Sequence, residues 1–406
     1  MSFMSYFHRA VSQRGPNRHA VTMSSASLTP GTISGHLQHW STTDPSVTAF
    51  TFRSADPNHQ RLTFTRREVF TFAARFAAVL RRKGIQHGDI VCNTLPNSPE
   101  RLLTDLGIML AGAVTMNGMV FLADGADLLG TLRKSGCVAI VTDPKQPRNA
   151  LTVLRGRVVY DENNHKVTGC AEAPALRQLL VVDCGVGAGE GPKPFLEDLR
   201  KEEEELVVDV QPSDVAFVMT TSGSTGFSKL VPQTHARCLA LGEAFYDIIG
   251  LKEGDVFFND RSLGWVGGAP FTYTRKGITR VLLDVSTVAP ADPLALAWQA
   301  MKEERCTASL LVPMHIDMSL ARPQLWQDKK PRLRVLGTGE CLTSNLDCCH
   351  VIIMMLIVVV VNLQSARNRQ LEALYNTIQY NFIAKCQYNC TVLWCQVHSV
   401  THSHQS

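Results

Sequence analysis

An α/β architecture with mostly parallel sheets is the fold class this sequence predicts. Three observations carry it. Short apolar runs alternate with amphipathic helical runs from about residue 61 onward, and capping chemistry marks where several helices start and stop. The 406 residues are 45% hydrophobic and 19% charged, the balance of a globular chain with more than one sizeable core.

Thr65-Arg-Arg-Glu68 forms a capping box, and Val69, Phe72, Ala73, Phe76, Val79 and Leu80 follow at helical spacing. Arg81-Arg-Lys83 suits the negative end of that helix, and Gly84 suits its exit. Beyond the Gly88-Asp89 turn, Ile90 to Thr94 reads as strand, and Asn97-Ser-Pro99-Glu100 opens a helix reaching about Leu110. Val114 to Met116 (strand), Ala126 to Ser135 (helix) and Val138 to Val141 (strand) continue the alternation. The signal weakens from Val158 to Glu205, where Lys201-Glu-Glu-Glu-Glu205 reads as a solvated face. It resumes with strands at Val215 to Met219 and Lys229 to Gln233, a helix from His235 to about Ile248, and a helix from Pro293 to Glu304. Phe257-Phe258, Val281 to Asp284, Ser309 to Val312 and Leu333 to Leu336 are further strands.

A net charge of +4 without a dense Lys/Arg stripe gives no reason to expect nucleic acid or an acidic membrane as partner. Cys92, Cys137, Cys170, Cys184, Cys238, Cys306 and Cys341 stand singly, as reduced thiols of an intracellular protein do. From Met1 to Thr43 there is no Asp or Glu, while Arg9, Arg14 and Arg18 accompany many serines. That composition fits a mitochondrial presequence and equally a short disordered leader, so residues 1–39 are expected to be a leader and the location mitochondrial or cytoplasmic. Past Leu342 the chain turns Cys-, Asn-, Gln- and His-rich. The apolar run Val351 to Val361 is too short to span a bilayer, reads as one buried strand or helix, and gives no expectation of stable membrane insertion.

The segment Thr220-Thr-Ser-Gly-Ser-Thr-Gly-Phe-Ser-Lys229 carries the chemistry. Gly223 and Gly226 allow close backbone approach to an anion. Backbone N–H groups and the hydroxyls of Thr221, Ser222, Ser224 and Thr225 supply donors, and Lys229 adds a positive charge. A Walker loop would need Gly-Lys-[Ser/Thr], whereas Ser228 precedes this lysine and Leu230 follows it. Gly/Ser/Thr clusters are commonly plain surface turns, but the order here is more specific than such turns require.

The segment resembles the signature loop of the adenylate-forming superfamily, T-S-G-[S/T]-T-G-x-P-K-G, shared by acyl-CoA synthetases, 4-coumarate ligases, beetle luciferases and peptide-synthetase adenylation domains. Here Ser228 replaces the proline and Leu230 the final glycine, while His235 fits the family's usual histidine. Gly84-Ile-Gln-His-Gly88-Asp89-Ile-Val, Leu95-Pro-Asn-Ser-Pro-Glu100 and Ala111-Gly-Ala-Val114 resemble neighbouring family stretches. Asp260-Arg-Ser-Leu-Gly-Trp265-Val-Gly267-Gly268 resembles P-L-F-H-x-x-G, a segment that lines the acyl pocket. Leu333-Arg-Val-Leu-Gly-Thr-Gly339-Glu340-Cys341-Leu342 resembles the strand-turn that lays its backbone along adenine.

The resemblance runs from Trp40 to Leu342 and implies the large N-terminal domain of these enzymes, a layered α/β body with mostly parallel sheets. It implies activation of a carboxylic acid, fatty by expectation, through an acyl-adenylate to a coenzyme A thioester, with ATP, Mg2+ and coenzyme A taking part. Lys229 and Thr225 would be catalytic; Thr221, Ser222, Gly223, Ser224, Thr225, Gly226, Lys229, Gly339, Glu340 and Cys341 would hold the nucleotide; Trp265, Gly267 and Gly268 would wall the acyl group. No metal ligand is assigned. The family's following Y-G-x-T-E stretch and small C-terminal domain are not found in residues 343–406, so an incomplete domain with an atypical Cys-rich tail and impaired turnover is expected. A non-catalytic nucleotide- or acyl-binding module is the alternative.

Overall fold

The computed structural model describes residues 20–21, 28–118, 125–187, 189, 191–221, 228–265, 267–269, 277–327, 332–343 and 352–359. Two sheets dominate it. The first is six-stranded, in the order Lys229–Thr234, Val215–Thr221, Val114–Asn117, Ile90–Asn93, Ala139–Thr142, Gln178–Val181. Its strands pair in parallel except for the first two, which are antiparallel. The second is seven-stranded, in the order Ile352–Val359, Val335–Thr343, Ala308–Leu311, Val256–Asn259, Thr279–Asp284, Thr48–Ser54, Arg61–Thr65. It is parallel within and antiparallel at both margins.

A helical layer lies between the sheets. Helix Arg66–Arg82 starts with the full capping box: Thr65 Oγ1 accepts from the Glu68 N–H and Glu68 accepts from the Thr65 N–H. It packs on helix Pro99–Leu110, capped by Ser98 and buried along its whole length. A Cβ at Gly107 would stand 2.8 Å from Phe76 and 2.9 Å from the Ala73 carbonyl, so only glycine permits this crossing. These helices share one core with Phe50, Phe52 and Leu282 of the second sheet and Val91, Val141 and Phe217 of the first. On the outer faces, Leu128, Leu129 and Leu132 of helix Gly125–Ser135 cover the first sheet, and Leu294, Ala297, Trp298 and Met301 of helix Pro293–Glu303 cover the second. Sheets covered on both faces need continuous apolar strands, and Ile90–Asn93 and Ala139–Thr142 are buried at every position.

Where the sequence signal weakens, the structure places strand Gln178–Val181 at the margin of the first sheet and helix Pro194–Lys201 across from helix Arg66–Arg82. Glu202 and Glu204 pair with Arg82, as a solvated face does. The strands flanking Ser222–Phe227 pair antiparallel, with Thr221 opposite Lys229, where simple alternation suggested parallel pairing. Helix Ile33–Thr43 crosses the expected end of the leader at residue 39, and Thr29 donates to Asp209 through both its N–H and its hydroxyl. The apolar run near Val351 is a strand, Ile352–Val359, antiparallel to Val335–Thr343 from Thr343–Ile352 to Leu336–Val359. Strand Val335–Thr343 is therefore paired along this margin as well. Cys92, Cys137, Cys184, Cys238 and Cys306 are buried free thiols and Cys170 is half-buried.

One buried charge cluster joins the layers. Lys193, just before helix Pro194–Lys201, lies 3.1 Å from Glu100 and 2.8 Å from Asp284, all at or below 1% exposure. Its Nζ also donates to Ser286 Oγ at 3.0 Å. Burial pushes the Glu100 carboxyl up to about 7, and Lys193 opposes the rise. Burial draws the lysine down, but Glu100 and Asp284 outweigh it and hold Lys193 above its ordinary range.

Two buried groups give opposite pH slopes. Glu100, raised from 4.5 to about 7, contributes stability that is complete below the lower value and lost as pH rises through the upper one. His235, lowered by burial from 6.5 to about 4, contributes stability present above 6.5 and lost as pH falls through about 4. The wild-type curve is expected to be shallow between these limits because the slopes oppose. Glu100→Gln should leave stability rising with pH by roughly 3 kcal/mol across that window, read by urea unfolding at stepped pH. A variant curve parallel to wild type overturns the assignment.

Candidate active site

The glycine loop springs from the antiparallel pair at the margin of the first sheet. Ser222, Gly223, Ser224, Thr225 and Gly226 lie outside the described residues, so the site is built from what brackets them. Thr221 ends the incoming strand, and Lys229 begins the outgoing one directly opposite. Lys229 is exposed and makes no ion pair with any described residue, so its charge is open to an anion. Ser228 is fastened: its N–H and hydroxyl donate to the two carboxylate oxygens of Asp127, each at 3.0 Å. A proline at this position would offer neither donor. Asp127 lies in the first turn of helix Gly125–Ser135, where the helix dipole favours a negative charge.

His235 is 1% exposed, and its Nδ1 accepts from the Ile33 N–H at 3.3 Å. Burial keeps it neutral at physiological pH. It thus pins helix Ile33–Thr43 to the start of helix His235–Ile249, a structural duty that the motif alone did not reveal.

The second half of the site lies at the carboxyl ends of the parallel strands of the second sheet, where open α/β sheets place ligands. After Val256–Asn259 the chain makes a tight turn: Trp265 N–H donates to the Ser262 carbonyl, and Gly268 and Ala269 N–H donate to the Trp265 carbonyl. A Cβ at Gly264 would lie 2.1 Å from Asn117 Oδ1, and one at Gly268 would lie 2.0 Å from the Ser262 carbonyl. Neither position tolerates a side chain without rearrangement. Gly267 and Gly268 are buried, the Gly267 carbonyl accepting from Asn259 Nδ2 at 2.6 Å; Trp265 is 39% exposed.

This turn is fixed to the first sheet. Asn97 Oδ1 accepts from Leu263 N–H at 2.9 Å, and the Asn97 carbonyl accepts from Val285 N–H at 3.0 Å. Below it, Arg101 donates to Asn117 Oδ1 at 2.8 Å and to the Leu95 carbonyl. Asp105 accepts from Asn93 at 2.8 Å and from Thr115 at 2.7 Å. The sequence carried no local sign of this network beyond polar residues at strand ends.

Gly339, Glu340 and Cys341 belong to strand Val335–Thr343, paired with Leu356, Met355 and Met354. Their strand runs past the last parallel pairing, Leu311 with Thr338. One margin of these three residues is therefore in the ladder, and the other lies beyond the end of Ala308–Leu311. Among the described residues, no group of three His, Cys, Asp or Glu side chains is placed to hold a metal ion, and no helix is long and apolar enough to cross a membrane.

With this geometry in view, similarity to known proteins is informative. The family described as AMP-binding enzyme matches residues 37–349. The chain is 25% identical over 315 residues to acetyl-coenzyme A synthetase 2-like, mitochondrial, of Homo sapiens, covering 75% of this chain and 44% of that protein. It is 28% identical over 318 residues to acetyl-coenzyme A synthetase of Emericella nidulans, covering 75% and 45%. The chain thus spans less than half the length of these curated relatives. Its fold is shared with Mycobacterium tuberculosis fatty acyl CoA synthetase, at a TM-score of 0.61 and 20% identity over 77% of this chain and 55% of that one.

The Ser228–Asp127 link invites a double-mutant cycle. Ser228→Ala and Asp127→Asn should be coupled by about 1 kcal/mol in urea unfolding, and Ser228→Pro should cost more than Ser228→Ala because it removes both donors. Additive single effects would show that the two groups do not interact.

Proposed function

Because the chain belongs to the AMP-binding enzyme family, we propose that it takes part in ATP-dependent activation of a carboxylic acid, through an acyl-adenylate to a coenzyme A thioester. The observation that carries this reading is the exposed Lys229, without an ion pair among the described residues, at the exit of the Ser- and Thr-rich loop in a body of the matching fold. Two anions must meet: the acid's carboxylate and the α-phosphate of ATP. Catalysis then consists mainly of holding them in line and neutralising charge.

In this reading Lys229, with Thr221, Ser222, Gly223, Ser224, Thr225 and Gly226, binds the phosphates. Gly339 to Cys341 offers a backbone margin beside the end of Ala308–Leu311 for the adenine. A magnesium ion would accompany the nucleotide's phosphates. Coenzyme A would enter as the second substrate, its thiol sulfur attacking the acyl carbon as AMP leaves.

For the acid, a short aliphatic chain is proposed in preference to a long one. The Trp265 indole beside two buried glycines supports a shallow pocket, and both curated relatives are named for acetyl-coenzyme A. A mitochondrial location is the companion proposal, supported by the acid-free, Arg- and Ser-containing stretch Met1 to Thr43 and by the mitochondrial name of the human relative. Uptake and shortening of the chain by isolated mitochondria would test it.

Acid-dependent ATP–pyrophosphate exchange tests the activity. Acetate is expected to support exchange better than octanoate, and Lys229→Ala to lower it by roughly 100- to 1,000-fold. Trp265→Ala should shift preference towards the longer acid. Nucleotide binding without exchange for any acid would replace this reading with that of a binding module.

A further inference from the structure

Between the acyl turn and the expected adenine strand stands a histidine that the signature motifs do not include. His315 lies in the first turn of helix Pro313–Leu320, directly after strand Ala308–Leu311. Its Nδ1 is 2.7 Å from Asp260 Oδ2. The same oxygen accepts from the Val312 N–H at 2.7 Å, so one carboxylate holds both the ring and the backbone that carries it. Asp260 is 3% exposed at its side chain and His315 is 22% exposed.

The register of the second sheet locates this pair. Asn259 is level with Leu310, and Leu311 is level with Thr338. Asp260 and His315 therefore stand at the carboxyl ends of adjacent parallel strands, one residue short of Gly339. Asp260 also opens the turn that ends in Trp265, Gly267 and Gly268. Helix Pro313–Leu320 packs against strand Val335–Thr343 and helix Pro293–Glu303. Ser319 donates to the His315 carbonyl at 2.6 Å and accepts from Trp298 Nε1 at 2.9 Å, which fixes the helix.

Nε2 is on the opposite side of the imidazole from the bond to Asp260 and has no partner among the described residues. An imidazole whose Nδ1–H is held by a carboxylate is fixed in plane, with Nδ1 committed to that bond. An imidazole carrying both protons presents Nε2–H as a charge-assisted donor suited to an anionic oxygen.

We propose that His315 is a substrate-binding residue that donates from Nε2 to the oxygens where the acyl group joins the phosphate, and that Asp260 is its positioning residue. The assignment rests on the acid-activation reading above, because the ligand is what would bridge the expected adenine strand and acyl turn. The contact assigned to His315 is a hydrogen bond, and no covalent step is assigned to it.

The test uses the full chain and two probes: ATP, and N-acylsulfamoyl adenosine in acetyl and octanoyl forms, an unreactive mimic of the acyl-adenylate. Calorimetry should show His315→Ala weakening the better-bound mimic by roughly 10- to 100-fold while ATP affinity changes by less than about twofold. His315→Gln keeps a donor without the charge and should fall between. Asp260→Asn should weaken the mimic, and adding it to His315→Ala should cost little more, because a positioning residue acts through the residue it holds. Equal affinity of His315→Ala and wild type for the mimic overturns the proposal, as does an equal loss for ATP, which would mark general damage. A wild-type chain that binds ATP but neither mimic overturns the acid-activation reading, and this assignment with it.

Discussion

Three ionisable groups without access to water set the frame of this molecule. Lys193 lies between Glu100 and Asp284, at the seam where helix Pro99–Leu110 meets the end of strand Thr279–Asp284. Removing one partner from such a cluster leaves an uncompensated buried charge and typically costs about 3–5 kcal/mol. The consequence reaches beyond stability. Glu100 opens helix Pro99–Leu110, Asn97 precedes that helix and holds Leu263, and Leu263 belongs to the turn expected to wall the acyl group. The two halves of the candidate site sit on different sheets, so their spacing depends on how this seam is held.

The fold was legible wherever local chemistry declares itself. The Thr65–Glu68 box, the Ser98 cap with Pro99 behind it, and the buried run Ile90–Asn93 are each decided by a few adjacent residues. Gln178–Val181 was not legible, because so short an apolar run becomes a strand only by pairing with Ala139–Thr142. The direction of the pair around the glycine loop is equally non-local: strand patterning is the same for parallel and antiparallel neighbours. Helix Ile33–Thr43 was masked by a composition that also suits a presequence; burial of Ile33 and Ser34 and the contact to His235 make it part of the body.

The candidate site divides along the same line. Motif order singled out Thr221, Lys229, Trp265, Gly267, Gly268 and Gly339, because a phosphate loop or tight turn restricts residue type at successive positions. The structure explains the restriction at Gly268, where a Cβ would collide with backbone. Side chains that meet across long separations left no such trace. Asp127 and Ser228 are 101 residues apart, and Asp260 and His315 are 55 apart. His235 fits the family pattern by its place in the motif, and the structure gives it a buried, neutral, structural role.

The departures from the family pattern have local physical consequences. Serine in place of proline at 228 adds two donors, and Asp127 takes both. Restraint that proline would supply through a fixed φ is supplied here by tertiary hydrogen bonds, which cost more order elsewhere but tie the loop's exit to a helix. At the other end of the site, Val335–Thr343 would offer a free row of N–H and C=O groups without a neighbour. Ile352–Val359 occupies that row over eight consecutive pairings. A strand carrying the nucleotide's expected resting place must keep its register, since a slip of one residue exchanges its two faces. Pairing along one margin fixes that register and leaves the opposite margin, beyond Leu311, for the ligand. The apolar run therefore holds the register of Val335–Thr343 by the same ladder that extends the sheet.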